Sequence, residues 1–264
     1  MKNRLSIYAK SLMLKPKKTF GQNFLKSKNI AHSIVELLDV KEDDTVIEIG
    51  PGLGALTEFL YQKPKKELIL VELDKDIFGL LEKKYKNATL LNEDASLVDL
   101  SSYKNLKIIG NLPYNMYASI LINMINQEKH ISKMVFMLQK EVGERLITDS
   151  KDKSWLWAYA NTYFNIHYAF SVPGRFFEPV PKVTSCVLVF DKKEDTPSFE
   201  KQNYMDFLKK MFSNRRKMLK HKLNNIEDKY ALKRVEELSL EDIKYIYNTL
   251  SCFNKNIFTS TPAL

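Results

Sequence analysis

The sequence predicts a doubly wound α/β domain followed by a small all-α domain. Three observations predict it. Short β-branched runs alternate with amphipathic, helix-length segments from about residue 27 to 150. Three of the eight glycines fall within five positions, directly after the first of those runs. From residue 201 onward the apolar positions recur at helical spacing. Strands separated by helices imply βαβ units, and right-handed crossovers then give a parallel sheet with helices on both faces.

Each element follows from its pattern. Ser27–Leu38 is predicted as a helix because Ile30, Ile34, Val35, Leu37 and Leu38 approximate one face. Thr45–Ile49 is a β-branched run ending at a glycine, hence a buried strand. A helix over Leu53–Tyr61, a strand over Glu67–Val71, a helix over Asp74–Tyr85 and a short strand over Thr89–Leu91 follow. Leu106–Ile109 is the fourth strand, Ala118–Asn126 a helix, Lys133–Leu138 the fifth strand and Lys140–Ile147 another helix. Tyr163–Phe170 and Val183–Phe190 are expected as a closing antiparallel pair. The polar stretch 191–200 (DKKEDTPSFE) reads as a linker. Beyond it, Phe207, Lys210, Met211, Ile243, Ile246, Tyr247 and Leu250 give helical spacing over 201–253. Expected domains are thus a basic arm at 1–26, an α/β domain at 27–190, the linker, and a helical domain at 201–264. No internal repeat interrupts this order.

A chain of 264 residues with 44% hydrophobic and 28% charged residues can bury a full core, which excludes a largely disordered protein. Its net charge of +9 is unevenly placed. Residues 1–20 hold six basic residues and no acid, residues 21–190 sum to −1, and residues 191–264 sum to +4. The stretch 209–222 alone holds seven basic residues and no acidic one. Clustering of this kind points to a polyanion partner. The only cysteines, Cys186 and Cys252, are far apart, which fits a reducing cytosol and supplies no metal site. No apolar run is long enough to span a bilayer, and the N-terminus lacks the apolar stretch of a secretory signal. A cytoplasmic protein without a membrane or metal is expected. The four histidines are scattered, so none is a candidate acid or base. Trp155 and Trp157 read as packing residues, and the Met-containing run 133–138 as core.

The chemistry sits at strand ends. In VIEIGPGLGALT (Val46–Thr57), Gly50, Gly52 and Gly54 join a strand to a helix, where glycines let the backbone turn sharply and approach a ligand. The spacing is GxGxG, which argues against a pyrophosphate cradle. Glu72 ends the second strand, where an acid can take both ribose hydroxyls, and Asp94 follows the third, placed to accept from a purine amine. Together these point to S-adenosylmethionine, which carries ribose and adenine but no phosphate. At the end of the fourth strand stands IGNLPYN (Ile109–Asn115). An adenine amino group is a poor nucleophile because its lone pair is delocalised into the ring. The Asn111 side-chain oxygen and the Leu112 carbonyl, accepting both N–H bonds, favour a tetrahedral nitrogen. Pro113 fixes the backbone between them and Tyr114, which can stack on the base.

Six motifs in this order resemble the KsgA/Dim family of small-subunit rRNA adenine dimethyltransferases over nearly the full length. They are FGQNFL (Phe20–Leu25), EIGPGLGALT (Glu48–Thr57), VELD (Val71–Asp74), EDA (Glu93–Ala95), GNLPYN (Gly110–Asn115) and VPGRFFEPVPKVTS (Val172–Ser185). Glu93 departs from the pattern, since a glycine is common there. The resemblance implies a Rossmann-like class I methyltransferase fold and an FGQNFL segment lying over the cofactor. Asn23 and Leu25 then join Gly50, Gly52, Glu72, Asp94 and Asn111 around S-adenosylmethionine. It also implies that Phe177, in F-x-P-x-P-x-V, faces Tyr114 across the target base. The implied targets are two adjacent adenines in the 3′-terminal hairpin of 16S rRNA, met in an immature small subunit by a monomeric enzyme. Lys15, Lys17, Lys18, Arg215, Arg216, Lys217 and Lys220 are the expected phosphate contacts. Two rivals share these features: an Erm-type large-subunit methyltransferase, and a non-catalytic ribosome-assembly or transcription factor. A DNA adenine methyltransferase fits less well, because a PPY core is usual there.

Overall fold

The computed structural model describes residues 22–148 and 152–253. The chain divides into two compact units. The first takes the chain up to Gly143 and again from Asn165 to Lys192; the second takes Glu144–Phe164 and the chain from Lys193. The expected linker is therefore one of three places where the chain passes between them.

In chain order the first unit contains β1 (Phe24–Leu25), α1 (Lys28–Leu37), β2 (Thr45–Ile49), α2 (Thr57–Leu60), β3 (Glu67–Val71) and α3 (Lys75–Lys84). β4 (Thr89–Leu91), β5 (Leu106–Asn111), α4 (Tyr117–Asn126) and β6 (Ile131–Gln139) follow. α5 (Lys140–Ile147) and α6 (Trp155–Tyr163) lead into the second unit, and β7 (Phe164–Val172), β8 (Phe177–Glu178) and β9 (Ser185–Lys192) return to the first. Seven strands form one sheet in the order β4-β3-β2-β5-β6-β9-β7. β2 pairs in parallel with both β3 and β5, β5 with β6, and β9 runs antiparallel to β6. This is the doubly wound sheet the sequence predicts. Its winding reverses at β2 and β5, so their carboxyl ends open a crevice suited to a ligand.

Local chemistry explains the helix starts. Ser27 Oγ accepts from Ile30 N ahead of α1, and Asp74 Oδ1 accepts from Asp76 N ahead of α3, each satisfying an N–H left over in the first turn. Ile34 and Val35 of α1 are fully buried in one apolar cluster that includes Val46, Leu70 and Ile109 of the sheet. Burying an aliphatic side chain of that size stabilises the fold by about 1.5–3 kcal/mol. α2 is shorter than expected because the backbone of the glycine loop occupies the positions before it.

Gly110 makes the central pairing possible. A Cβ there would lie 2.6 Å from the Ile49 backbone oxygen. Only a residue without a side chain lets β5 lie against β2 in the observed register, Ile49 opposite Gly110.

In the second unit, α7 (Lys201–Phe212), α8 (Asp228–Ala231) and α9 (Leu240–Phe253) are joined by turns and one-turn 3-10 helices. The continuous helicity expected over 201–253 is corrected: Asn214 and Asn225 adopt positive φ, which ends a right-handed helix. α6 joins this unit through rings. Tyr159 lies 5.7 Å from Tyr163 and 6.2 Å from Tyr204 of α7, and the Thr162 and Tyr204 hydroxyls share a 3.0 Å hydrogen bond. Trp157 is buried, as its packing reading expects. Among the described residues no helix is long and apolar enough to cross a membrane.

Candidate active site

Four neighbouring strands deliver four motifs to one edge of the sheet. After β2, Gly50, Gly52 and Gly54 have φ of 62°, 54° and 85°, a backbone path that glycine follows without strain. After β3, the Glu72 carboxylate is buried and accepts from Gly52 N at 3.1 Å and from Asp74 N at 2.9 Å. Burial raises its pKa above the ordinary carboxylate range, while those two N–H groups pull it partway back. Asn92 holds the same turn by donating to the Glu72 carbonyl at 2.8 Å. After β4, Asp94 Oδ1 accepts from Ser96 N at 2.8 Å and its carbonyl from Leu97 N. The turn thus forms with Glu93 in place of a glycine.

Below the glycine loop lies an acid of another kind. Glu48 is fully buried and accepts from the Thr57 hydroxyl at 2.6 Å. Burial pushes its pKa up to about 8, and the nearby Glu72 charge adds to the effect. It therefore carries a proton at neutral pH and ties α2 to the floor of the loop as a neutral group.

Asn111 is the last residue of β5, and its side-chain nitrogen donates to the Asn23 carbonyl at 2.9 Å. A carbonyl oxygen only accepts, so this contact identifies the nitrogen edge of the amide and turns Oδ1 to the opposite edge. Among the described residues no donor meets Asn111 Oδ1 or the Leu112 carbonyl. Leu112 is held from its other side, its N–H donating to Met137 of β6 at 3.1 Å. The Tyr114 hydroxyl shares a 2.8 Å hydrogen bond with Ser185 at the start of β9, and burial raises the phenol's pKa. The site thus offers two outward acceptors followed by a tethered ring.

Two expected site residues have buried side chains. Phe177 has no exposed surface; its ring belongs to the hydrophobic core, and its backbone pairs with Leu25. As placed it offers no face to a base, whereas the neighbouring Phe176 is only partly buried, with the Arg175 guanidinium 4.9 Å from its ring centre. Leu25 is also a core side chain, which leaves its main chain alone for contact with a cofactor.

The basic run behaves differently along its length. Arg215, Arg216, Lys217 and Lys220 are all exposed. Lys222 is buried and donates to the Met211 and Ser213 carbonyls at 2.7 and 2.6 Å, with burial pulling its pKa down to about 8. It therefore anchors the end of α7 rather than facing a partner. Lys15, Lys17 and Lys18 lie outside the described residues. Sequence reasoning passed over Phe24, Asn92, Met137 and Ser185. Of these Phe24 and Ser185 carried a signal, as members of the FGQNFL and VPGRFFEPVPKVTS motifs.

The donor set fits S-adenosylmethionine. Glu72 retains lone pairs for a ribose diol after accepting two N–H bonds, Asp94 lies one strand farther along, and the glycine loop Gly50–Gly54 contains no lysine or arginine to bind a pyrophosphate. Among the described residues no group of three or more His, Cys, Asp or Glu is placed to hold a metal ion. A family model described as ribosomal RNA adenine dimethylase matches residues 13–253. The chain belongs to this family. The ribosomal RNA small subunit methyltransferase A of Persephonella marina is 40% identical over 247 residues, covering 89% of this chain and 93% of that protein. The protein of the same name from Francisella tularensis subsp. novicida is 35% identical over 258 residues, 90% and 98% of the two chains. In fold, the chain is similar to a dimethyladenosine transferase from Plasmodium falciparum, with TM-score 0.76, 22% identity, and 89% and 99% of the two chains covered. It is also similar to the 23S rRNA methyltransferase ErmE, with TM-score 0.64, 20% identity, and 87% and 90% coverage. As a member of the ribosomal RNA adenine dimethylase family the protein is an enzyme with a class I methyltransferase fold, and S-adenosylmethionine is its cofactor.

Proposed function

We propose that the protein dimethylates the N6 amines of two adjacent adenines in the 3′-terminal hairpin of small-subunit rRNA. It acts as a cytoplasmic monomer on immature small subunits and so takes part in their biogenesis. One observation carries the reading: the Asn111 and Leu112 acceptors stand at the switch point of the sheet, on the edge that also bears the glycine loop. The small-subunit substrate is supported by the relatives named ribosomal RNA small subunit methyltransferase A.

When bound, the cofactor supplies an electrophilic methyl group on its sulfonium. The main chain at Gly50 and Gly52, the carboxylates of Glu72 and Asp94, Asn111, and the main chain at Asn23 and Leu25 hold it. The target adenine leaves its stack to enter the site. In the first transfer Asn111 Oδ1 and the Leu112 carbonyl each accept one N6 hydrogen, which draws the nitrogen toward tetrahedral geometry and releases its lone pair; in the second, one of the two accepts the single hydrogen that is left. Pro113 restricts Leu112 to extended backbone, so its carbonyl keeps its aim. Tyr114 stacks on the base, and its bond to Ser185 fixes the ring's height over the site. Alignment and lone-pair release account for the rate, with no side chain acting as a base before transfer, and the N6 proton displaced by the methyl group passes to solvent water. Arg215, Arg216, Lys217 and Lys220, with Lys15, Lys17 and Lys18, grip phosphates and add affinity without sequence information.

The test is methyl transfer to immature small subunits and to naked large-subunit rRNA, with the modified base mapped. Two dimethylated adjacent adenines in the small-subunit hairpin are expected. Modification of the large-subunit rRNA alone would move the protein to the Erm-type reading, and no transfer to either would favour an assembly factor.

A further inference from the structure

We infer that the segment Gln22–Lys26 is a positioning strap that sets the acceptor geometry of Asn111, an inference that rests on the function proposed above. An asparagine amide has a donor edge and an acceptor edge. Turned the wrong way, it presents N–H to the target amine, donor against donor. The bond from Asn111 Nδ2 to the Asn23 carbonyl, 2.9 Å long, decides which edge faces outward. The acceptor in that bond is main chain, so its place depends on how the segment docks rather than on any rotamer of Asn23.

Docking is distributed over three other parts of the site. Lys26 N donates to the Phe176 carbonyl at 2.8 Å, and β1 pairs antiparallel with β8, Phe24 opposite Glu178 and Leu25 opposite Phe177. The Lys26 ammonium lies 3.2 Å from the Glu178 carboxylate. Gln22 Nε2 donates to Asp74 Oδ2 at 3.1 Å, and Asp74 N is itself bound by the Glu72 carboxylate. The Phe24 ring closes over the glycine loop, so that a Cβ on Gly52 would sit 3.2 Å from it. One short segment therefore touches the loop, the turn after β3 and the catalytic amide. Seating it from the cofactor side orients Asn111 on the base side, and by linkage the bond to Asn111 helps to seat the segment. The buried Leu25–Phe177 pair has a purpose in this arrangement: it anchors the strap.

Two experiments test this. Hydrogen exchange on the ligand-free protein compares wild type with Asn111→Leu, which lacks the donor. Loss of one hydrogen bond of this kind should speed exchange at the Phe24 and Lys26 amides by about 2- to 10-fold, with distant amides unchanged. Equal exchange in the two proteins overturns the inference. The second uses Lys26→Glu, because an exposed ion pair contributes little but two acids at that distance repel. Its kcat should fall by about 3- to 10-fold with KM for RNA unchanged, and Lys26→Glu combined with Glu178→Lys should restore it. Wild-type kcat in the single variant, or no recovery in the double one, overturns the inference. If the wild-type protein methylates no rRNA adenine, the proposed function fails while the exchange experiment still decides whether the strap and Asn111 are coupled.

Discussion

Gly110→Ala tests whether the sheet's switch point depends on the missing side chain. The added methyl would lie 2.6 Å from the Ile49 oxygen and 3.3 Å from the Ile49 Cβ, where ordinary van der Waals contact starts near 3.4 Å. The near neighbour is backbone at the centre of the sheet, so it cannot rotate away. Two effects oppose each other. Removing a glycine from a strand stabilises by about 0.5–1 kcal/mol through the unfolded chain. Overpacking against a fixed neighbour destabilises by about 1–3 kcal/mol, and here it wins because the approach is far inside the normal range. A net loss of about 1–2 kcal/mol should lower Tm by about 2–8 °C for a domain of this size. The spreading falls between the glycine loop and Asn111, since the position of a Gly50 Cβ is 3.9 Å from the Asn111 carbonyl. Turnover should therefore fall more than stability alone explains at a temperature where the variant is fully folded. Thermal unfolding followed by circular dichroism, paired with methyl-transfer rates, reads both. An unchanged or raised Tm with wild-type turnover would refute the argument that close approach of β2 and β5 requires glycine.

Asn111→Ala should lower methyl transfer by about 10²-fold or more, the usual effect of deleting a preorganised polar group that faces the reacting atoms, with an unaltered circular dichroism spectrum. Near-normal turnover would remove Asn111 from the mechanism. Glu48 keeps its proton up to about pH 8 when folded, whereas its ordinary value is 4.5. Its contribution to stability is therefore complete below pH 4.5 and is lost as pH rises through 8. Glu48→Gln, which can still accept from Thr57, should flatten that part of the Tm-versus-pH curve and gain on wild type above pH 8; parallel curves would contradict the buried neutral acid. Neutralising Arg215, Arg216 and Lys217 should weaken RNA binding and reduce the slope of log K against log salt, by about 0.7–0.9 for each phosphate that is no longer neutralised. An unchanged slope would assign the run to solvent.

The strands were legible because each is a β-branched run bounded by turn residues, and β2, β3 and β4 occupy the ranges read from sequence. α6 was not, because WLWAYANTY is buried on nearly every side and leaves no polar face to mark a helical period. β1 and β8 are two residues each, too short for any periodicity. Among the proposed site residues, Asn111 and Tyr114 stand out by motif, but the partners that fix them, the Asn23 carbonyl and Ser185, lie 88 and 71 positions away in the chain. Phe176 and Phe177 show the limit most clearly. Phe176 ends a 3-10 turn and Phe177 opens β8, and only the pairing with Leu25 decides which ring enters the core.

The chain passes between the two units at Gly143, Phe164 and Lys192, and α6 reaches the helical unit on an excursion from the sheet. A fragment cut at the polar stretch before α7 would lack Tyr159, Thr162 and Tyr163, which pack with Tyr204. The helical unit is therefore not an exchangeable cassette. A chimera that swaps the tail between relatives must carry the excursion with it. During synthesis, likewise, the first helix of that unit is made before the sheet's last two strands and waits for α7 to complete its core.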